Sequence, residues 1–195
     1  MPTLPIYNCY HPVLRKETEK IGDINDEIRD LAENMIKTIK HVGNGVGLAA
    51  NQVGESKSML VVDLSITDED PIGHPLVVIN PEIIEESEEE VEDIEGCLSI
   101  PDYSEKVVRP RDVTIKYRDL DGNEQEIRAT DFLARVLQHE IDHLHGKLIF
   151  DRITPLKRAL SKSKLRKIER GQIVPHYAMV MPDGTLIEPD KEKTA

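Results

Sequence analysis

A chain of 195 residues with a formal net charge of −12 is too acidic to serve as a general nucleic-acid binder. Its 38% hydrophobic and 32% charged residues describe a soluble globular mixture, and the length suits one domain with a substantial core. No apolar run is long enough to span a bilayer, and Met1-Pro2-Thr3-Leu4-Pro5 has no signal-peptide pattern, so the expected compartment is the cytoplasm.

The first twenty residues are polar with scattered proline and tyrosine, and read as an extended segment lying on the body. Ile24, Ile28, Leu31, Met35, Ile39 and Val42 then recur at three- and four-residue spacing. That pattern predicts a helix over about 25–41, capped by Asp23 or Asn25 and stopped by Gly43. Three glycines in Gly43–Gln52 imply a backbone approached closely by another segment or by a ligand. A phosphate loop is a poor reading, because no Gly-Lys-Ser/Thr follows and the segment comes after a helix, not before one. The stretch is either a tight connection or a strand with bare backbone that pairs with a peptide, Gln52 serving as a polar finger.

Ser58–Leu64 and Pro75–Asn80 are β-branched runs and are predicted strands, joined by an acidic loop over Thr67–Gly73. Glu85 to Glu95 holds eight carboxylates in eleven residues, the composition of a solvated face. The alternation of Asp112–Arg118 and Asn123–Ala129 around Asp121-Gly122 predicts a hairpin. A helix capped by Thr130 or Asp131 follows, with Phe132, Leu133, Val136 and Leu137 facing inward and Gly146 ending it. Lys147–Ile153 reads as a short strand. Pro155–Arg170 is helix-prone and basic, and a small hairpin is expected around Pro182-Asp183-Gly184.

The chemistry begins at Gln138-His139-Glu140-Ile141-Asp142-His143. On a helix, residues four apart share a face, so His139 and His143 can hold one transition metal, with Glu140 beside it as a proton carrier. His145 faces away and reads as solvent-exposed. A catalytic site of this kind needs a third protein ligand. Glu169 and His176 lie downstream but outside any third-ligand pattern, whereas Cys97 sits in Glu95-Gly96-Cys97-Leu98-Ser99, where glycine permits close approach and a thiolate suits a borderline-soft cation. Two cysteines make no disulfide framework, and Cys9 reads as a free, partly buried thiol.

Gly45-Val46-Gly47-Leu48-Ala49-Ala50-Asn51-Gln52, Glu95-Gly96-Cys97-Leu98-Ser99 and Gln138–His143 together resemble, in order, the three signature motifs of the peptide deformylase family, over about Leu4–Leu160. The resemblance implies an α+β fold, with a central metal-binding helix surrounded by mostly antiparallel strands and flanked by N- and C-terminal helices. It implies one catalytic domain over 1–195, with 171–195 an extension. The implied activity is hydrolytic removal of formyl from the N-terminal formyl-methionine of new chains, releasing formate.

By the same resemblance, Cys97, His139 and His143 are the metal ligands. Fe(II) is the physiological ion, and Zn(II), Ni(II) or Co(II) can replace it. Metal-bound water is the implied nucleophile, Glu140 the general base and acid, and the Gln52 side chain and Leu98 N–H the oxyanion donors. Substrate contacts fall to Gly45, Val46 and Gly47 for the peptide backbone, and to Val46, Phe132, Val136 and His139 for the methionine side chain. A Glu95–Arg109 ion pair is expected to brace the cysteine loop.

Two departures from the family pattern stand out. Asn51 replaces a frequent proline, and Asp102-Tyr103-Ser104 lacks an arginine used by some relatives, leaving Tyr103 as the substitute. Some family members dock on the ribosome through a basic C-terminal helix. Pro155–Arg170 either does the same or is a solvated basic helix balancing an acidic body. An unrelated zinc endopeptidase is disfavoured by the cysteine ligand, and a catalytically dead relative by the complete residue set.

Overall fold

The structure is a computed structural model that describes residues 3–67, 73 and 75–189. The N-terminal segment contributes β1 (Ile6–Tyr7) and a short 3-10 turn at Pro12–Arg15. Helix α1 (Asp26–Val42) follows the predicted periodicity. The Asn25 side chain caps it by accepting from the Ile28 N–H at 3.1 Å, and Gly43 ends it in the left-handed region at φ +77°. It buries Ile28, Ala32, Met35, Ile39 and Val42 along one face.

Strands β2 (Gly47–Ala49), β3 (Met59–Val62) and β4 (Leu76–Glu86) come next. A hairpin of β5 (Glu90–Gly96) and β6 (Ser104–Pro110) precedes a second hairpin of β7 (Asp112–Arg118) and β8 (Glu124–Thr130). The antiparallel sheet runs β2-β3-β4-β7-β8. Successive residues of β3 alternate between its faces. Met59 and Val61 pack with α1, whereas Leu60 and Val62 pack with α2 (Asp131–Leu144) on the other side. Burying each such side chain is worth roughly 1.5–3 kcal/mol.

The acidic Glu85–Glu95 run forms the exposed end of β4 and most of β5. Of the expected acidic loop at Thr67–Gly73, residues 68–72 lie outside the described residues. The predicted strand at Lys147–Ile153 is instead a one-turn helix, α3 (Ile149–Arg152). Leu148, Ile149 and Phe150 are all buried together, and the Asp151 carboxylate caps the Leu148 N–H at 2.9 Å. An apolar run buried without alternation has no solvent side, so its composition alone did not distinguish strand from helix.

Helix α4 (Pro155–Glu169) is capped by Thr154 and buries only Leu165 and Ile168. The expected tail hairpin is present as β9 (Met179–Val180) and β10 (Leu186–Ile187), turning through Gly184 at φ +85°. β9 also pairs in parallel with β1, so the tail is stitched to the N-terminal segment. The fold is α+β, as expected, and no helix among the described residues is long and apolar enough to cross a membrane.

Candidate metal centre

Helix α2 is buried continuously from Leu133 to Leu144, including Arg135, Gln138, His139, Glu140, Asp142 and His143. Polar groups in such a position are costly without partners, so each one asks for an explanation. The i, i+4 spacing sets His139 Nε2 3.2 Å from His143 Nε2, and Cys97 Sγ approaches His143 Nε2 at 3.2 Å. The three donor atoms lie within 4.8 Å of one another. A tetrahedral ion bonded to two imidazoles and a thiolate would separate its ligand atoms by about 3.3–3.6 Å, close to the two spacings at His143.

The electrostatics agree with the spacing. Burial opposes a charge on His139, but hydrogen bonds to Cys97 and Glu95 and the Glu140 carboxylate outweigh it and hold its pKa well above the usual imidazole value. Surroundings that favour a proton there also favour a cation. Burial, with the positive charge on His139 and Arg109, pushes His143 well below the usual value, leaving it a neutral ligand. The donor set therefore fits a borderline-soft divalent ion.

Behind the ligands lies a chain of ion pairs. Glu95 Oε2 accepts from His139 Nδ1 at 3.0 Å, which leaves Nε2 for a metal. Arg109 grips Glu95 through Nε at 2.6 Å and Nη2 at 3.0 Å, and reaches Asp142 through Nη1 at 2.8 Å. Arg135 adds a bond to Glu95 at 2.7 Å, and Arg152 donates to Asp142. Burial would raise the Glu95 carboxyl, but hydrogen bonds from His139 and Arg109 override it and hold the pKa far below the ordinary range. Burial likewise opposes the Asp142 charge, and Arg152 and Arg109 override it to keep that pKa low.

Gln52 is buried on a 3-10 turn (Ala50–Val53). Its carbonyl oxygen accepts from the Ala49 N–H at 2.8 Å, which directs its amide nitrogen to Cys97 Sγ at 3.6 Å and Ser99 Oγ at 3.3 Å. Glu140 is 4% exposed, and its Oε2 has no hydrogen-bond partner among the described residues. Burial pushes its pKa up to about 7. A Cβ on Gly47 would overlap the Glu140 carboxylate, which explains glycine at that position. A Cβ on Gly45 would instead meet the end of the Leu98 side chain at 2.9 Å.

A cavity of about 420 Å³ opens onto these groups, with Gly45, Val46, Gly47, Val136 and His139 in its lining. Phe132, expected to face inward, is 37% exposed and stands at the cavity wall because it lies in the first turn of α2, next to solvent. Tyr103 also lines the cavity and bonds Ser161 Oγ through its hydroxyl at 3.1 Å. The rejected ligand candidates are elsewhere: His145 and Glu169 are exposed, and His176 bonds the Val42 carbonyl. Cys9 is fully buried, more so than expected.

Sequence reasoning missed Arg135, the partners of Asp142, and Asn51, which donates its side-chain amide to the His143 carbonyl. The available signal was a charged residue on the buried face of a helix, one turn before His139. Tyr177, which donates to the Leu98 carbonyl at 2.7 Å, had no such signal.

The profile of the polypeptide deformylase family matches residues 3–159. A peptide deformylase of Salinibacter ruber is 43% identical over 187 residues, covering 92% of this chain and 95% of the relative. One from Mesorhizobium japonicum is 44% identical over 172 residues, covering 88% and 96%. The crystal structure of peptide deformylase from Ehrlichia chaffeensis superposes with a TM-score of 0.77 at 37% identity, covering 89% of this chain and all of that one. Similarity of this extent, over a fold that brings Cys97, His139 and His143 together, means that the chain belongs to the peptide deformylases, hydrolases that act on N-formyl-methionyl peptides.

Proposed function

We propose that the chain removes formyl from the N-terminal formyl-methionine of newly made polypeptides, within a single catalytic domain over 1–195. The observation that carries this reading is the convergence of Cys97, His139 and His143 beside a buried Glu140 whose Oε2 has no hydrogen-bond partner among the described residues. Cys97, His139 and His143 would hold a divalent ion, Fe(II) in the cell, which would supply Lewis acidity and lower the pKa of the attacking water. Glu140 takes the proton of the attacking water and returns it to the amine as formate leaves. The pKa to which burial pushes Glu140 suits that exchange near neutrality, and a nearby cation would draw it down.

Negative charge develops on the formyl oxygen as its carbonyl is attacked. The Gln52 amide and the Leu98 N–H are the donors assigned to it, and Gln52 is held ready by its own bond to Ala49. The backbone of Gly45–Gly47 pairs with the extended peptide, which gives affinity independent of sequence, while Val46, Phe132, Val136 and the His139 ring receive the methionine side chain. Glu95 and Arg109 support the site by fixing the His139 ring.

The test is a pair of substrates offered to protein prepared anaerobically with Fe(II): a formyl-Met peptide and an unformylated peptide with internal bonds only. Formate from the first and no cleavage of the second supports the reading. Internal cleavage without formate overturns it in favour of an endopeptidase.

Docking on the ribosome through 155–170 is proposed from the exposed Lys162, Lys164 and Arg166 on α4, beside Leu156 and Leu160 at 70% and 77% exposure. Co-sedimentation that falls steeply with salt and is lost on charge reversal of those three residues is expected. Binding indifferent to the reversal contradicts it.

A further inference from the structure

His176 and Tyr177 lie beyond residue 159, where the family match ends, yet each reaches a loop beside the cavity. The Tyr177 hydroxyl donates to the Leu98 carbonyl at 2.7 Å, and its ring, 6% exposed, packs in the same core cluster as Leu98. His176 Nε2–H donates to the Val42 carbonyl at 2.8 Å, at the end of α1 where the glycine-rich run begins. The His176 ring stands edge-on to Tyr177, with centroids 5.0 Å apart. Strand β9, paired with β1, anchors the segment immediately afterwards.

The place of the Leu98 carbonyl makes this contact more than packing. Cys97–Ile100 is a four-residue turn closed by the Ile100 N–H on the Cys97 carbonyl at 2.9 Å. The central peptide unit of such a turn has no partner within it, and turn types I and II differ by a flip of that unit. The carbonyls on either side are already held, Cys97 by Ile100 and Ser99 by the Cys9 N–H at 2.9 Å. The Leu98 carbonyl takes its donor from the tail, where the Tyr177 hydroxyl provides it.

Leu98 and Ser99, the residues that this central unit joins, both serve the oxyanion site. Ser99 Oγ accepts from the Gln52 amide, and Leu98 carries, on the adjoining Cys97–Leu98 peptide one Cα away, the N–H assigned to the developing charge. A flip would force Ser99 to positive φ, a region disfavoured for a residue with a Cβ, and would move its hydroxyl from under Gln52.

We propose that Tyr177 is a positioning residue for the oxyanion site, its hydroxyl locking the central peptide of the Cys97–Ile100 turn, and with it the Ser99 hydroxyl that holds Gln52 and the Leu98 Cα next to the donor N–H. The inference rests on the deformylase reading of Leu98 and Gln52. It assigns the C-terminal extension a part in the reaction, with His176 holding the neighbouring loop and the Tyr177 ring.

Tyr177→Phe keeps the ring and removes the bond. In the metal-loaded full chain acting on a formyl-Met peptide, kcat falls about ten-fold, less than the 10²–10³ expected for losing a donor outright. KM stays within about two-fold because the peptide-pairing strand is untouched. Bound metal per chain is unchanged, and hydrogen–deuterium exchange quickens in the Cys97–Ile100 segment. Unaltered exchange together with an unaltered kcat overturns the proposal, as does a loss of rate matched by a loss of bound metal.

If Tyr177→Phe does not fold, His176→Leu removes the Val42 bond and the ring contact. Faster exchange in the same turn is expected, and no change there overturns the proposal. Exchange reads the turn without turnover, so a failed brace is distinguishable from a failed assignment of the reaction, which shows as wild-type protein releasing no formate.

Discussion

Glu140 and Gly47 show how closely the site is fitted at the level of single residues. The carboxylate occupies the space that a side chain at position 47 would need, so the missing Cβ is part of the acid–base apparatus. Gly47→Ala is expected to lower kcat/KM about 10²-fold by displacing Glu140, within the range that one proton-transferring group contributes. Gly45→Ala meets only the movable end of Leu98 and is expected to cost less than ten-fold, by the usual tolerance of flexible neighbours. Steady-state kinetics of the two variants check this, and equal losses would contradict the geometric account. Cys97, His139 and His143 were readable because their motifs are local. Asp142, Arg135 and Tyr177 were not, because their partners stand 33, 40 and 79 positions away.

At the scale of elements, α2 is held in place by buried ion pairs as well as by apolar packing. Breaking a buried pair by removing one member typically costs 3–5 kcal/mol. Asp142→Asn is expected at the low end, about 3 kcal/mol, because Arg109 keeps Glu95 and Arg152 is half in solvent. Chemical denaturation measures it, and a loss under about 1 kcal/mol would show that solvent already screens the pair.

Glu95 and Asp142 both have depressed pKa values, so their stabilisation is complete above the unfolded carboxylate values and is lost as pH falls through the folded ones. Their contribution should be constant above about pH 5 and be lost below about pH 4, so the acid limb of stability should be shallower in Glu95→Gln. An unchanged acid limb in that variant would contradict the assignment. The sequence revealed α1 and the β7–β8 hairpin through clean periodicity and turn chemistry. It misplaced α3 as a strand because three consecutive buried residues carry no period.

Across the whole molecule, the site is assembled from segments that share no local sequence. A sheet edge brings Gly47, the β5–β6 hairpin brings Glu95 and the turn after β5 brings Cys97, all against a helix buried on every side. Their order along the chain was enough to suggest the family, whereas the path of the tail beside β1 depends on pairing across 173 positions, as between Ile6 and Met179. An ion that binds only the folded site stabilises the fold by mass action. Removing it with a chelator should lower Tm and abolish formate release while leaving the far-ultraviolet circular dichroism in place, because the Glu95–Arg109–Asp142 chain persists without it.

The central claim is that the ion held by Cys97, His139 and His143 works with Glu140 on a formyl amide. Formate release by Fe(II)-loaded wild type and Glu140→Ala, with bound metal measured in each, tests it most directly. The expected result is one ion per chain in both proteins, with formate released only by the wild type. Formate release by Glu140→Ala at the wild-type rate would contradict the account.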